Sequence, residues 1–260
     1  MAGPRVRCGI DSRVTLVLII GDERPGDLDV TDCRTGRTLV GLVLLVVLAA
    51  ACAPASPQAA EPAAALREAA ERGDLTAVRT LLDQGAPVDA RDDRGATALV
   101  RAAYGNHVDV AAVLVQAGAD VDLQDDSRQS AYLIATSEVG DDPRLLDLTL
   151  AAGADIDAKD SYDGTGLIRA AERANVVIVQ RLLQAGVDRD HVNRLGYTAL
   201  HEAVVFGEGS PADQATVSAL VAGGVDLDVP DGNGDTALAH AERRGQREVA
   251  SILRVAGAAG

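Results

Sequence analysis

Aromatic side chains are nearly missing from this 260-residue chain, which has no Trp, one Phe and four Tyr. A large globular core usually draws on aromatics for its buried area. The 47% hydrophobic content is enough instead for short helices of Leu, Val and Ala, stacked so that each unit touches only its neighbours. Cysteine is scarce as well. Cys8, Cys33 and Cys52 all lie in the first 52 residues, so the rest of the chain has no disulfide and no thiol chemistry. Positive charge is short, with 24 Lys+Arg against 39 Asp+Glu and a net charge of −15. The first 52 residues carry six of each sign, so the whole excess falls downstream. Such acidity repels phosphate backbones and argues against nucleic acid as a partner. It fits a basic protein partner, or simply turns that keep the surface soluble. There is no HExxH, no Gly-rich phosphate loop and no Ser, His and Asp set with catalytic spacing. No enzyme and no cofactor are expected.

The longest apolar run is Leu39 to Ala51, 13 residues. That is short of the roughly 20 needed for a comfortable membrane span. Arg34 and Arg37 precede it, and Ala49, Ala50 and Ala51 lead into Cys52. A positive region, an apolar core and small residues before a cut read as an export signal. The end of the run resembles a bacterial lipoprotein signal, which implies lipidation of Cys52 and a membrane anchor outside the cytoplasmic membrane. It departs from the commonest form by having Ala49 three residues before the Cys, with Leu48 one further back. A cleaved soluble product and an uncleaved anchor stay open as alternatives. Residues 1–29 do not fit a signal of ordinary length, and a true start at Val30 would restore one. Residues 1–52 are thus expected to be a leader and 53–62, rich in Ala and Pro, a flexible tether.

From about residue 63 the chain repeats itself. A first-helix position recurs as Leu66, Leu99, Tyr132, Leu167, Leu200 and Leu238, in steps of 33, 33, 35, 33 and 38. A Gly recurs as Gly85, Gly118, Gly153, Gly186, Gly224 and Gly257. Thr97, Ser130, Thr165, Thr198 and Thr236 stand where a hydroxyl can cap a helix. The Gly residues suit a left-handed helix C-terminus. Two extra residues near Pro143 and five near Gln214 fall between the paired helices.

The motif G-x-T-A-L-x-x-A-A, followed by G-N-H, an apolar helix and A-G-A-D-V-D in residues 95–122, resembles the ankyrin repeat. The resemblance covers about residues 63–260 in six units. It implies an all-α solenoid of helix-turn-helix units with projecting β-turn tips. The family prefers Pro after the capping Thr. Here Ala98, Ala131, Gly166, Ala199 and Ala237 stand instead, so somewhat frayed helix starts are expected. His107 and His201 match family positions that hydrogen-bond within the repeat. His191 and His240 look isolated.

The resemblance also implies a non-catalytic protein-binding module, expected to be monomeric. Its concave face is built from turn tips and exposed first-helix positions. The tips are Arg94, Arg128, Tyr162, Leu195 and Tyr197. The first-helix positions are Arg101, Tyr104, Ile134, Arg169, Glu172 and Glu202. Exposed Tyr and Arg are common binding hot spots, though tips also vary freely and tolerate Tyr. The two insertions share the opposite edge, as a second site or as neutral variation. An accessory, inhibitor or immunity factor for one secreted enzyme is the alternative to a scaffold. Asp226, Asp228, Asp231, Asn233 and Asp235 cluster, but Ca²⁺ takes about six to eight oxygens in a spacing that these do not match. No metal site is expected.

Overall fold

The computed structural model describes the backbone of residues 57–259 and the side chains of 61–259. The leader, the proposed start at Val30 and Cys52 lie outside the described residues. Among the described residues twelve helices follow one another in six pairs. They are α1 (Pro57–Glu71) and α2 (Leu75–Asp83), α3 (Ala98–Tyr104) and α4 (Val108–Gln116), α5 (Ala131–Ser137) and α6 (Arg144–Ala151). Then come α7 (Gly166–Glu172) and α8 (Val176–Ala185), α9 (Ala199–Val205) and α10 (Pro211–Ala222), α11 (Ala237–Arg243) and α12 (Arg247–Ala256). Among the described residues the only β pairing is an isolated antiparallel bridge between Lys159 and Thr165.

First helices stack on first helices along the whole array, and second helices on second helices. The second helices α6 and α8 are the least closely packed pair. Leu66, Leu99, Tyr132, Leu167, Leu200 and Leu238 are all buried and form one continuous core. The recurring Gly residues have φ from +74° to +98°, a region that other residues enter only with strain.

The expected fraying is absent. Each first helix from α3 onward starts at the residue directly after its Thr or Ser. Those hydroxyls accept from the N–H three residues on, at 3.3–3.5 Å. The cap fixes the first turn without Pro. The tether also differs from expectation, since α1 begins at Pro57 and residues 57–62 are helical. Pro suits a first helical turn, and the Ala-rich sequence behind it favours helix.

Each repeat is stitched to the next. The His107 ring reaches outside its own repeat, and its Nε2 meets the Glu71 carbonyl at 3.0 Å. Asn175 Nδ2 donates to the Thr136 carbonyl, and Gln246 Nε2 to that of Val204, from the same register. His201 bonds to Thr198 within its repeat and also to the Asp235 carbonyl in the next. His191 and His240 are not isolated either. They meet the Asp163 carbonyl at 2.7 Å and the Asp231 carboxylate at 2.9 Å.

The repeated D-x-D aspartates form a second line of stitches. The Asp122 N–H donates to Asp120 Oδ1, and the Asp155 N–H donates across the repeat to Asp122 Oδ1 at 2.8 Å. The pattern continues through Asp157, Asp188, Asp190, Asp226 and Asp228 to the Ala259 N–H. Asp122, Asp157, Asp190 and Asp228 therefore each hold a backbone amide of the repeat that follows.

Both insertions are structural. Asp141 Oδ1 accepts from the Val177 and Ile178 N–H groups and caps α8 of the following repeat. The α8 N-cap residue, Asn175, makes no side-chain cap of its own. The longer insertion lengthens α10 to 12 residues behind a capping box of Ser210 and Asp213.

Candidate functional site

The tip of each repeat is tied to the first helix that follows it. In four of five repeats a tip side chain pairs with the residue nine positions on. Asp92 pairs with Arg101, Asp160 with Arg169 at 3.5 Å, Asn193 with Glu202 at 2.6 Å, and Asp231 with His240 at 2.9 Å. The Oδ1 of each tip residue accepts the amides two and four positions on, which folds the tip turn. Burial alone would raise Asp92, but the Arg101 guanidinium and two backbone amides outweigh it and bring its carboxyl to about 2. Asp231 is held below the usual carboxylate range by the Asp235 amide and by His240.

The ladder leaves three of the expected residues less exposed than the sequence suggests, two of them buried. Ile134 is fully buried, because the i+9 position faces the tip rather than solvent. Its tip partner Asp125 instead accepts from the Tyr104 hydroxyl of the preceding repeat at 3.2 Å. Burial, then the Asp125 charge, pushes that hydroxyl up to about 12. Glu202 is only 4% exposed, for the same reason as Ile134. Tyr197 is half-buried, stacked on His201 with ring centroids 5.7 Å apart and edge-on to Phe206 and His240. Arg94 and Arg128 are exposed, and Tyr104 remains largely so. Arg101 and Arg169 are half-buried and held by carboxylates.

The fourth and fifth repeats enclose a pocket of about 130 Å³ between their tips and the helices α7 and α9. It brings together five of the expected residues: Tyr162, Arg169, Glu172, Leu195 and Glu202. Arg94, Arg101, Tyr104, Arg128, Ile134 and Tyr197 do not line it. Asp160, Asn193 and Phe206 join them and were not foreseen. Phe206 carried a signal, as the single Phe of the chain. Tyr162, Leu195 and Phe206 form the rim, at 60%, 53% and 51% exposure. Pockets for small ligands run to about 300–1,000 Å³, so this one suits a single side chain. At its base, burial pushes the Glu202 carboxyl up to about 7, with Glu172 and Asp160 adding and the Asn193 hydrogen bond opposing.

Among the described residues, one group has the ligand types and spacing for a metal ion: Asp231, Asp235 and His240, within 4.8 Å of one another. Its atoms are engaged already. Asp231 holds two amides and His240, and Asp235 pairs with Arg243 at 2.8 Å. Of the five residues weighed for Ca²⁺, Asp226 and Asp228 belong to the inter-repeat stitches instead. No helix of the described residues is long and apolar enough to cross a membrane.

A family model for ankyrin repeats in three copies matches residues 41–125 and 133–212. The ankyrin repeat protein YahD of Escherichia coli K12 is 34% identical over 191 residues, 73% of this chain and 94% of that one. The structure of an ankyrin repeat domain from Acinetobacter baumannii AYE superposes with a TM-score of 0.70 at 41% identity, covering 75% of this chain and 98% of that one. A chain from the complex of the predatory endopeptidase Bd0816 with immunity protein Bd3460, from Bdellovibrio bacteriovorus, superposes with a TM-score of 0.64 at 30% identity. It covers 74% of this chain and 97% of that one. Ankyrin repeats are protein–protein interaction modules.

Proposed function

The chain belongs to the ankyrin repeat family, and from that premise we propose that it is a non-catalytic binding protein whose concave face grips a protein partner between its fourth and fifth repeats. The observation that carries this reading is the pocket under Tyr162, Leu195 and Phe206. An exposed Tyr beside a recess is the kind of feature that anchors a binding hot spot, with the neighbouring apolar groups excluding water around it. The recess is too small for a cofactor and open on one side, which suits recognition better than water-excluding catalysis.

The partner is met at the cell envelope in this reading. Arg34, Arg37 and the apolar run export the chain, and Cys52 carries the lipid. Growth with labelled palmitate tests the anchor. Label is expected on the wild type and not on Cys52→Ser, and an unlabelled wild type rejects it.

A second reading is an inhibitor or immunity factor for one secreted enzyme. The likeness to a chain from an endopeptidase–immunity protein complex favours it. The two readings separate by stoichiometry, since an inhibitor takes one tight partner and stops its activity, whereas a scaffold takes several weakly. Capture from envelope extract with the full chain, beside a Tyr162→Ala, Leu195→Ala double variant, tests the shared claim. A partner lost with the double variant supports the concave face. A partner held equally by both rejects it.

A further inference from the structure

Glu202 breaks the charge order of the tip ladder. In two repeats an acidic tip meets an arginine on the helix, Asp92 with Arg101 and Asp160 with Arg169, and in a third Asp231 meets His240. In the fifth repeat the tip is Asn193 and the helix residue is Glu202, so a carboxyl stands at the register of Arg101 and Arg169. Glu202 is 4% exposed, and the one hydrogen bond of its carboxyl is from Asn193 Nδ2 at 2.6 Å. Among the described residues no Arg, Lys or His lies within ion-pair distance of it. The nearby Arg169 guanidinium is shared between Glu172 at 3.0 Å, Glu138 at 3.4 Å and Asp160 at 3.5 Å. A buried carboxyl without a cation is expensive unless something supplies one.

Resting on the binding reading above, we propose that this pocket takes the guanidinium of an arginine side chain from the protein partner, with Glu202 as its counter-ion and Tyr162, Leu195 and Phe206 packed on its faces. Four features choose that group. The lining has three carboxyls, Asp160, Glu172 and Glu202, against one Arg169, which disfavours an anion. The volume of about 130 Å³ admits a side-chain head and little more. Apolar and aromatic walls suit a planar, weakly hydrated guanidinium better than a strongly hydrated lysine ammonium. A carboxylate with a free oxygen accepts a guanidinium through paired hydrogen bonds.

The single Phe of the chain gives a direct probe, because replacing it biosynthetically with 4-fluorophenylalanine places one fluorine at Phe206 on the pocket rim. The labelled full chain in detergent is titrated with N-acetyl-arginine methylamide into tens of millimolar. N-acetyl-citrulline methylamide, the same shape without the charge, is the control. A saturable fluorine shift is expected with the arginine amide, at least tenfold weaker with citrulline and lost in Glu202→Gln. Leu195→Ala, which leaves the base of the pocket intact, is expected to weaken the shift several-fold. Equal responses to both amides, a shift unchanged in Glu202→Gln, or no shift with arginine would overturn the proposal. The assay needs no protein partner. Its failure beside a partner lost in Tyr162→Ala, Leu195→Ala refutes the arginine alone. Its success beside a partner held by that variant refutes the binding face instead.

Discussion

The hydroxyl of Tyr132 fills the space that a methyl group on Gly166 would need: a Cβ built there would lie 2.6 Å from Tyr132 Oη and 2.9 Å from Thr136 Cγ2. The other repeats have Leu at the first position and Ala at the second. Tyr132 is fully buried and its hydroxyl donates to the Ile156 carbonyl at 2.8 Å. The two departures from the repeat are therefore one adaptation.

Gly166→Ala is expected to destabilise the fold by about 1–3 kcal/mol through overpacking. In a Tyr132→Leu background the same change is expected to cost clearly less, since only the Thr136 methyl group remains in the way and Ala is the better helix former. Denaturant unfolding of the four proteins gives the coupling. An equal loss from Gly166→Ala in both backgrounds would contradict the pairing.

Glu202 makes stability depend on pH. Its folded pKa is raised from 4.5 to about 7, by burial first, with Glu172 and Asp160 adding and Asn193 and Arg169 opposing. Its favourable contribution is full below the unfolded value of 4.5 and is lost as pH rises through about 7. The Gln variant stays neutral throughout. Raising the pH from about 5 to about 8.5 is expected to weaken wild type relative to Glu202→Gln by on the order of 2 kcal/mol. Parallel stability curves for the two proteins would show that the carboxyl is not buried as described.

Arg128 and Ala174 occupy left-handed backbone, with φ of +59° and +54°, at registers where other repeats have Gly. Left-handed conformation strains a residue with a Cβ. Arg128→Gly and Ala174→Gly are each expected to stabilise by about 0.5–1 kcal/mol, net of the entropy that Gly adds to the unfolded chain. Thermal or chemical unfolding checks both, and a loss of stability in either would count against the assignment.

Asp141 caps a helix of the next repeat rather than its own. Asp141→Ala is expected to cost about 1 kcal/mol. It is also expected to speed hydrogen exchange at Val177 and Ile178, whose N–H groups it holds. Unchanged exchange at those two amides would show that the insertion is neutral.

The repeat itself was readable because its landmarks follow from physics within one unit. Buried Leu99 and left-handed Gly118 dictate their residue types locally. What the sequence hid lies between units. Asp122 looks like a solvated turn residue until the Asp155 amide arrives from 33 positions on. The resemblance places Ile134 and Glu202, with Arg101 and Arg169 at the same register, on the exposed face of the first helix. The structure shows a register turned toward the tip, where Arg is held by Asp92 or Asp160. Tyr162 and Leu195 were legible as exposed tip residues. Phe206 was not, because it follows the end of α9 and belongs to neither a tip nor a helix face.

Photo-crosslinking in living cells tests the binding face most directly. A benzoylphenylalanine at Leu195, on the pocket rim, is compared with one at Val255, which is exposed on α12 and away from the pocket. A discrete crosslinked protein adduct is expected from position 195, none from position 255, and loss of the first when Tyr162→Ala is added. An adduct from position 255 with none from 195 would contradict that binding face.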